Sequence, residues 1–511
     1  MSVEISKEIR ASFAVAIALL LFGQFLNKPV HVDDANFLRL AEGVARDYRR
    51  PHLISINWTG TTVAAFEVLS NPPGIGWWLL PVLDAPIWVQ HLWMLVWLLP
   101  IAWGARQLGK TFCEDDGEAC IWVLLTCPVV VLSAHSFLPD LPLLACTTAG
   151  LGGFVSHRGK QEFWALVVGL SFLFRYSGCL IVAVLILMAW RRSRLGGVVK
   201  CWPAFLPVIG LAINDFLVYG RWHLLAMFAF QNDGQHKTID LACHNCVAAI
   251  AMLGGAGLLP ILVWQRGSAV AAAVGAGIGA GAAFLSGQSL IQAVPTVIFT
   301  ASGAAVVFLT IGDRSRELTL STWALLGIVL FGISRFAATR YWIPFLPAFV
   351  LLGLRCRSDA KSIGVAVAVN LIVSLGLSID DYEFAECERQ AAVWVASISE
   401  TGKFTGHWGW QYYLEKHGWT PLEPNEHPTS WLASSAAADS QENTSAPCLE
   451  ELSIFPLPDR WPGPRTHSLG ARAAYHAGGK GVYAPWTFTN EPYDRITLFY
   501  SCDQYDNGHH P

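Results

Sequence analysis

Four short stretches of this chain place charge where an apolar sequence has least use for it. "HVDDANFLRL" (31–40) carries adjacent carboxylates, Asp33 and Asp34, just past the first apolar run. "SFLPDLPLLA" (136–145) carries Asp140 at the start of another. "FRYSGCLI" (174–181) and "SRFAATRYWIP" (334–344) supply Arg175, Tyr176, Arg335, Arg340 and Tyr341. A carboxylate can take the proton of a hydroxyl nucleophile, a role typically worth ~10²–10⁴-fold in rate. A guanidinium can hold a phosphate through two parallel hydrogen bonds. Together they meet the needs of transfer from a lipid-phosphate donor. Each residue also has a structural reading. Asp33 and Asp34 can cap a helix beginning near Ala35, Asp140 can complement a helix dipole, and Arg335 and Arg340 can snorkel to lipid headgroups.

The elements that would position these residues are membrane helices. The chain has 511 residues, 53% hydrophobic and only 14% charged, against about 25% charged in soluble proteins. Its 22 Trp residues suit a membrane–water interface. Apolar stretches long enough for spans fall near 11–28, 85–104, 119–135, 140–156, 162–174, 176–190, 201–219, 247–265, 268–286, 289–311, 319–335, 341–356 and 361–378. The first reads as a retained signal anchor, since no small-residue cleavage site follows. The stretch 72–83 reads as a shallow re-entrant piece or the start of the second span. With the N-terminus cytoplasmic, the Lys/Arg-bearing loops near 106–110, 158–160, 191–200, 266, 314–316 and 355–361 all fall on the inner side, as positive-inside asymmetry requires. The same threading puts Asp33, Asp34, Asp140, Arg175, Arg335 and Arg340 together at the outer face, where charge beside a span is functional by default.

Beyond residue 378 the composition changes. "DDYEFAECERQAAVWVASISE" has helical periodicity, the Pro/Ser/Asn-rich stretch from "PLEPNEHP" to "PCLEE" reads as loop, and "RITLFYSC" reads as a strand. The fold expected is an all-α polytopic membrane domain of about thirteen helices (1–378), with a candidate catalytic external loop at 29–84, followed by a small external α/β domain (379–511). In that domain "FTGHWGWQYYLEKHGW" (404–419) gathers His407, Trp408 and Trp410. They fit either a platform for stacking on sugar rings or the core of a small domain. Among the 12 Cys, Cys127, Cys146 and Cys179 lie in apolar runs and read as buried hydrophobes. "CHNC" (243–246) lies in a polar stretch, where a loop disulfide, free thiols and half of a zinc site stay open.

These motifs, in this order, resemble the membrane glycosyltransferases of the C-type fold (GT-C). The resemblance is to the branch containing protein O-mannosyltransferases, lipid A aminoarabinose transferases and rhizobial lipopolysaccharide sugar transferases. "DDANF" matches that branch's acidic pair, which places Asp33 at the catalytic Asp and Asp34 at the position usually held by Glu. "NPPGIGWW" matches a His-Pro-Pro segment with Asn71 in place of the His. "LPDLPLLA" matches a Pro-Asp motif through Asp140. "FRYSGCLI" matches Lys-Tyr-x-Gly with Arg175 for the Lys, and "TRYWIPFLP" matches the late Arg-Tyr-x-x-Pro element. The resemblance spans roughly residues 10–380.

It implies an inverting transfer of a sugar from a polyprenyl-phosphate carrier to a lipid, glycan or protein hydroxyl at the external face. Asp33 would be general base, with Asp34 and Asp140 ordering it or binding sugar. Arg175, Tyr176, Arg335, Arg340 and Tyr341 would hold the donor phosphate, while Asn71, His407, Trp408 and Trp410 would contact acceptor or sugar. The setting implied is a bacterial inner membrane, with the C-terminal domain periplasmic. No nucleic-acid partner is expected. No cofactor is implied, although an acidic site can recruit a divalent cation. The rivals are a lipid or solute transporter, which would show two similar halves with midplane charge, and a non-catalytic receptor or scaffold.

Overall fold

Pro, Gly and the apolar pattern decide where the helices stop. The computed structural model describes residues 17–57, 60–113, 117–232, 239–257, 266–312, 317–334, 337–356, 359–424, 426, 430–438, 449–456, 461–467, 473–476 and 482–501. Five helices among them are long and apolar enough to cross a membrane: Ile87–Phe112, Trp202–Tyr219, Gly267–Leu285, Leu290–Gly312 and Ala360–Ile398. Gly117–Thr126 and Pro128–Ala134, bent by 66°, make a sixth if taken as one span. Large apolar side chains such as Leu217 (72% exposed) and Phe284 (84%) face outward from these helices, as lipid contact allows and water does not favour. Helical structure occurs within each of the thirteen expected stretches, but several helices fall short of a span. Pro128, which has no N–H, opens the second half of the bent pair. The 162–174 stretch tightens into a 3₁₀ turn at Ser171–Leu173, and 341–356 begins with the 3₁₀ segment Thr339–Phe345 around Pro344.

The loop after the first apolar run is built on α1 (Asp34–Arg46), which buries Phe37, Leu38, Leu40, Ala41 and Val44. A short hairpin follows, β1 (Ser55–Asn57) antiparallel to β2 (Thr62–Ala64). The 72–83 stretch is a six-residue helix, α2 (Gly74–Leu79), with a 3₁₀ turn, Leu80–Val82. Gly74 is required there, since a Cβ would lie 2.3 Å from the Leu173 carbonyl oxygen. Two further helices frame the site, α3 (Asp140–Ser156) and α4 (Gly178–Val199). A third, α5 (His223–Asn232), comes from the stretch read as a loop.

The last membrane helix does not end at 378. Helix α6 (Ala360–Ile398) runs for 39 residues, about 58 Å at 1.5 Å per residue, and continues into the C-terminal region. There β3 (Lys403–Thr405), β4 (Thr420–Pro421), β5 (Trp431–Ser435), β6 (Leu449–Pro456) and β7 (Arg495–Ser501) form a mixed sheet in the order β4-β3-β5-β7-β6. β7 is the strand read from "RITLFYSC", and it lies inside the sheet between β5 and β6. β5 lies inside the Pro/Ser-rich stretch expected to be loop; its alternation is too short to show against that composition. Helix α7 (Trp408–Lys416) packs on this sheet and on α6, around Phe384, Phe404, Trp410 and Leu414. The "CHNC" segment is also corrected. It is a turn of the helix Ile239–Ala256, and Cys243 and Cys246 are free. Cys127 and Cys146 are buried as expected, whereas Cys179 is exposed.

Candidate active site

The residue before Asp33 sits in an unusual conformation. Val32 has φ +47°, where a β-branched side chain is strained by roughly 1–3 kcal/mol. The capping reading fails, because the Asp33 side chain makes no capping bond to α1. Its carboxylate instead accepts a hydrogen bond from Arg340 Nη2 at 2.5 Å. Asp34 points inward. Its Oδ1 accepts from the Phe137 N–H at 2.7 Å, and its Oδ2 has no partner. Burial pushes this carboxyl up to about 7.

Asp140, the first residue of α3, is fully buried and ion-paired to Arg175 Nη1. The Arg175 guanidinium lies over the Tyr341 ring, 4.7 Å from its centroid, a cation–π contact. Tyr341 follows Arg340 on the 3₁₀ segment, so one turn of chain links both arginine–carboxylate pairs. Burial works against the charge of Arg340, yet Asp33 and Asp140 together raise its pKa above the ordinary range. A cavity of about 300 Å³ opens beside the pairs. Asn71, Asp140, Arg175, Tyr176, Cys179 and Tyr341 line it, with Leu180, Leu224, Met227 and Phe228 among its apolar walls. Next to it runs an apolar cleft of about 350 Å³ between Trp77, Trp78, Trp97, Cys146 and Phe174. The two share α3, which gives Leu143 to the cavity and Cys146 to the cleft.

The structure thus brings Asp33, Asp140, Arg175, Arg340, Tyr176, Tyr341 and Asn71 to one place. Asp34 stands behind Asp33, and Arg335 lies outside the described residues. His407, Trp408 and Trp410 do not line the cavity. Trp410 is fully buried and donates its indole N–H to the Thr405 carbonyl at 3.0 Å. Trp408 packs edge-on against His467 at 4.8 Å, and His407 begins α7.

Two groups escaped the sequence reading. His223 Nδ1 lies 2.6 Å from the Tyr176 phenol and stacks against His52, with ring centroids 4.4 Å apart. Burial lowers His52 to about 4, and its Nε2 meets the Asn71 carbonyl at 2.9 Å. The second group lies below Asp33, where Lys28, His31, Asp381, Glu388 and His476 are all buried. Beside it, Asp380 accepts from the Thr466 N–H (2.6 Å) and hydroxyl (2.8 Å), the Tyr493 hydroxyl (3.0 Å) and Arg465 (3.4 Å). "DDYE" at 380–383 repeats the acidic doublet of the first loop. That repetition was the available signal.

No family model and no curated protein matches the chain. Among solved structures, the chain is similar to ArnT from Cupriavidus metallidurans in the apo state. The identity is 13% and the TM-score 0.46, over 88% of this chain and 96% of that one. For the same protein bound to undecaprenyl phosphate the values are 13%, 0.43, 89% and 97%. An oligosaccharyltransferase from Archaeoglobus fulgidus, also in the apo form, is similar at 13% identity and TM-score 0.42, over 82% and 65%. Both proteins have the C-type fold whose motifs the sequence resembles.

Proposed function

We propose that this protein is a multi-pass membrane glycosyltransferase that moves a sugar from a polyprenyl-phosphate carrier to an acceptor hydroxyl at the external membrane face, with inversion. The observation that carries this reading is the pair of arginine–carboxylate contacts, Asp140–Arg175 on the cavity wall and Asp33–Arg340 joined to it through the neighbouring Tyr341. A phosphodiester matches the guanidinium fork as a carboxylate does, so the donor phosphate competes for Arg175 and Arg340. Once displaced, Asp33 loses its cation and gains basicity. It then takes the acceptor proton as the hydroxyl attacks the anomeric carbon opposite the departing phosphate. Asp34 and Asp140 order the base or meet sugar hydroxyls. The Trp-lined cleft suits the first isoprene units of the carrier. Positive-inside asymmetry supports a cytoplasmic N-terminus and an external C-terminal region, in a bacterial inner membrane with up to thirteen spans.

The test is donor binding and turnover with purified protein and undecaprenyl phosphate-linked sugars. Arg175→Ala should lose donor affinity at least tenfold. Asp33→Asn should keep or gain donor affinity, since the rival for Arg340 is weakened, and should lose turnover. Near-normal turnover by Asp33→Asn would remove Asp33 as base. A transporter would show no transfer by the wild type.

A further inference from the structure

Beneath the Asp33–Arg340 pair, three chain segments meet in one buried point. His31 Nε2 lies 3.0 Å and His476 Nε2 2.7 Å from the same oxygen, Asp381 Oδ1. The His31 contact lacks hydrogen-bond alignment, so its Nε2 is left without a hydrogen-bond partner. The other carboxylate oxygen of Asp381 is taken by Lys28. On the far side of the His31 ring, Nδ1 faces Glu388 Oε2 at 3.4 Å.

The unpartnered His31 Nε2, beside a carboxylate oxygen shared with a second imidazole, is the feature that fits a bound cation. A carboxylate behind an imidazole fixes the tautomer that leaves the opposite nitrogen lone pair free, the arrangement seen behind metal-binding histidines.

We propose that His31, Asp381 and His476 form a metal site for a borderline-soft divalent ion of the zinc class, with two imidazoles, one carboxylate and a fourth position for water. The donor atoms lie within 4.8 Å of one another, close to the roughly 3.3 Å spacing of ligands around a tetrahedral zinc at ~2.0–2.1 Å. The site does not depend on the glycosyl-transfer reading. Its consequence is positional. His31 is two residues from Asp33. His476 is two residues from Ala474, whose carbonyl accepts from both the N–H and the hydroxyl of Thr339, next to Arg340. An ion here would pin both strands that carry the Asp33–Arg340 contact to α6.

The test uses the full chain in detergent, stripped with a chelator and reloaded with Zn²⁺, Mg²⁺ or Co²⁺. The wild type should bind about one zinc per chain. Chelation should lower its melting temperature, and Zn²⁺ but not Mg²⁺ should restore it. His476→Gln and His31→Gln should each cut zinc retention at least tenfold and abolish the response to chelation. Should both variants fail to fold, the wild type loaded with Co²⁺ still decides. Visible absorption without a cobalt–thiolate charge-transfer band supports nitrogen and oxygen ligands. A thiolate band would place the ion on cysteine and overturn the assignment, as would a wild type that retains no metal or variants that retain it undiminished.

Discussion

Among the described residues, two clusters of opposed charge share residue types and differ in access. Arg175, on the cavity wall, and Asp33, in the pair beside it, each have side chains 16% exposed. Beneath it, the Lys28 and Asp381 side chains are each 1% exposed. An ion pair that opens on a cavity can trade one partner for a ligand, because water or substrate resolvates whichever group is released. A sealed pair cannot, since an uncompensated buried charge costs several kcal/mol. The contrast separates groups suited to turning over from groups suited to holding the fold.

Breaking the sealed cluster should have the largest effect. Asp381→Ala leaves the Lys28 ammonium buried without its carboxylate, a loss of about 3–5 kcal/mol. Melting in detergent should fall by many degrees, or folded yield should vanish, while Asp140→Ala at the cavity melts much closer to wild type. Equal melting of the two variants would erase the distinction. Next comes Asp33→Asn, which should cut turnover by about 10²-fold or more and leave the melting temperature unchanged, because no cap is lost. Arg175→Lys follows. It keeps the charge but loses the planar fork and the stacking on Tyr341, so donor affinity should fall roughly tenfold, read by titration with undecaprenyl phosphate. Wild-type affinity would place the phosphate elsewhere.

The smallest effect sharpens the boundary between the clusters, where Asp34 stands. Its carboxyl is raised from 3.8 to about 7 by burial. Between about pH 4 and 7 the folded chain therefore keeps a proton that the unfolded chain has released. This contribution to stability is full below about pH 4 and is lost as pH rises through 7. Asp34→Asn keeps an acceptor for the Phe137 N–H and cannot ionise. It should match the wild type near pH 4 and melt a few degrees higher at pH 8. An unchanged pH slope would mean that Asp34 does not govern this range.

The cavity cluster was legible because charge is scarce in an apolar chain. Asp33, Asp140, Arg175 and Arg340 stood out, and one loop threading put them on one side. The sealed cluster was not, because its partners are far apart in sequence: Lys28 and Asp381 are 353 residues apart. Lys28 at the end of an apolar run reads as a headgroup lysine, and Asp380 and Asp381 read as the wet face of a helix. Periodicity does not distinguish a buried carboxylate from an exposed one. The same limit hid β5 in a Pro/Ser-rich stretch and made a composition change at 378 resemble a boundary that α6 crosses without a break.

The ligands of Asp380 bear on how such a protein can change over time. Arg465, Thr466 and Tyr493 all come from the C-terminal region and close on a residue of the last membrane helix. Exchanging that region for one from another protein would strand a buried carboxylate unless the newcomer brought the same three groups. The C-terminal part is thus not a module to be shuffled. On the proposed function, new acceptor preferences would arise by point substitution around the cavity, with the sheet and the long helix inherited together.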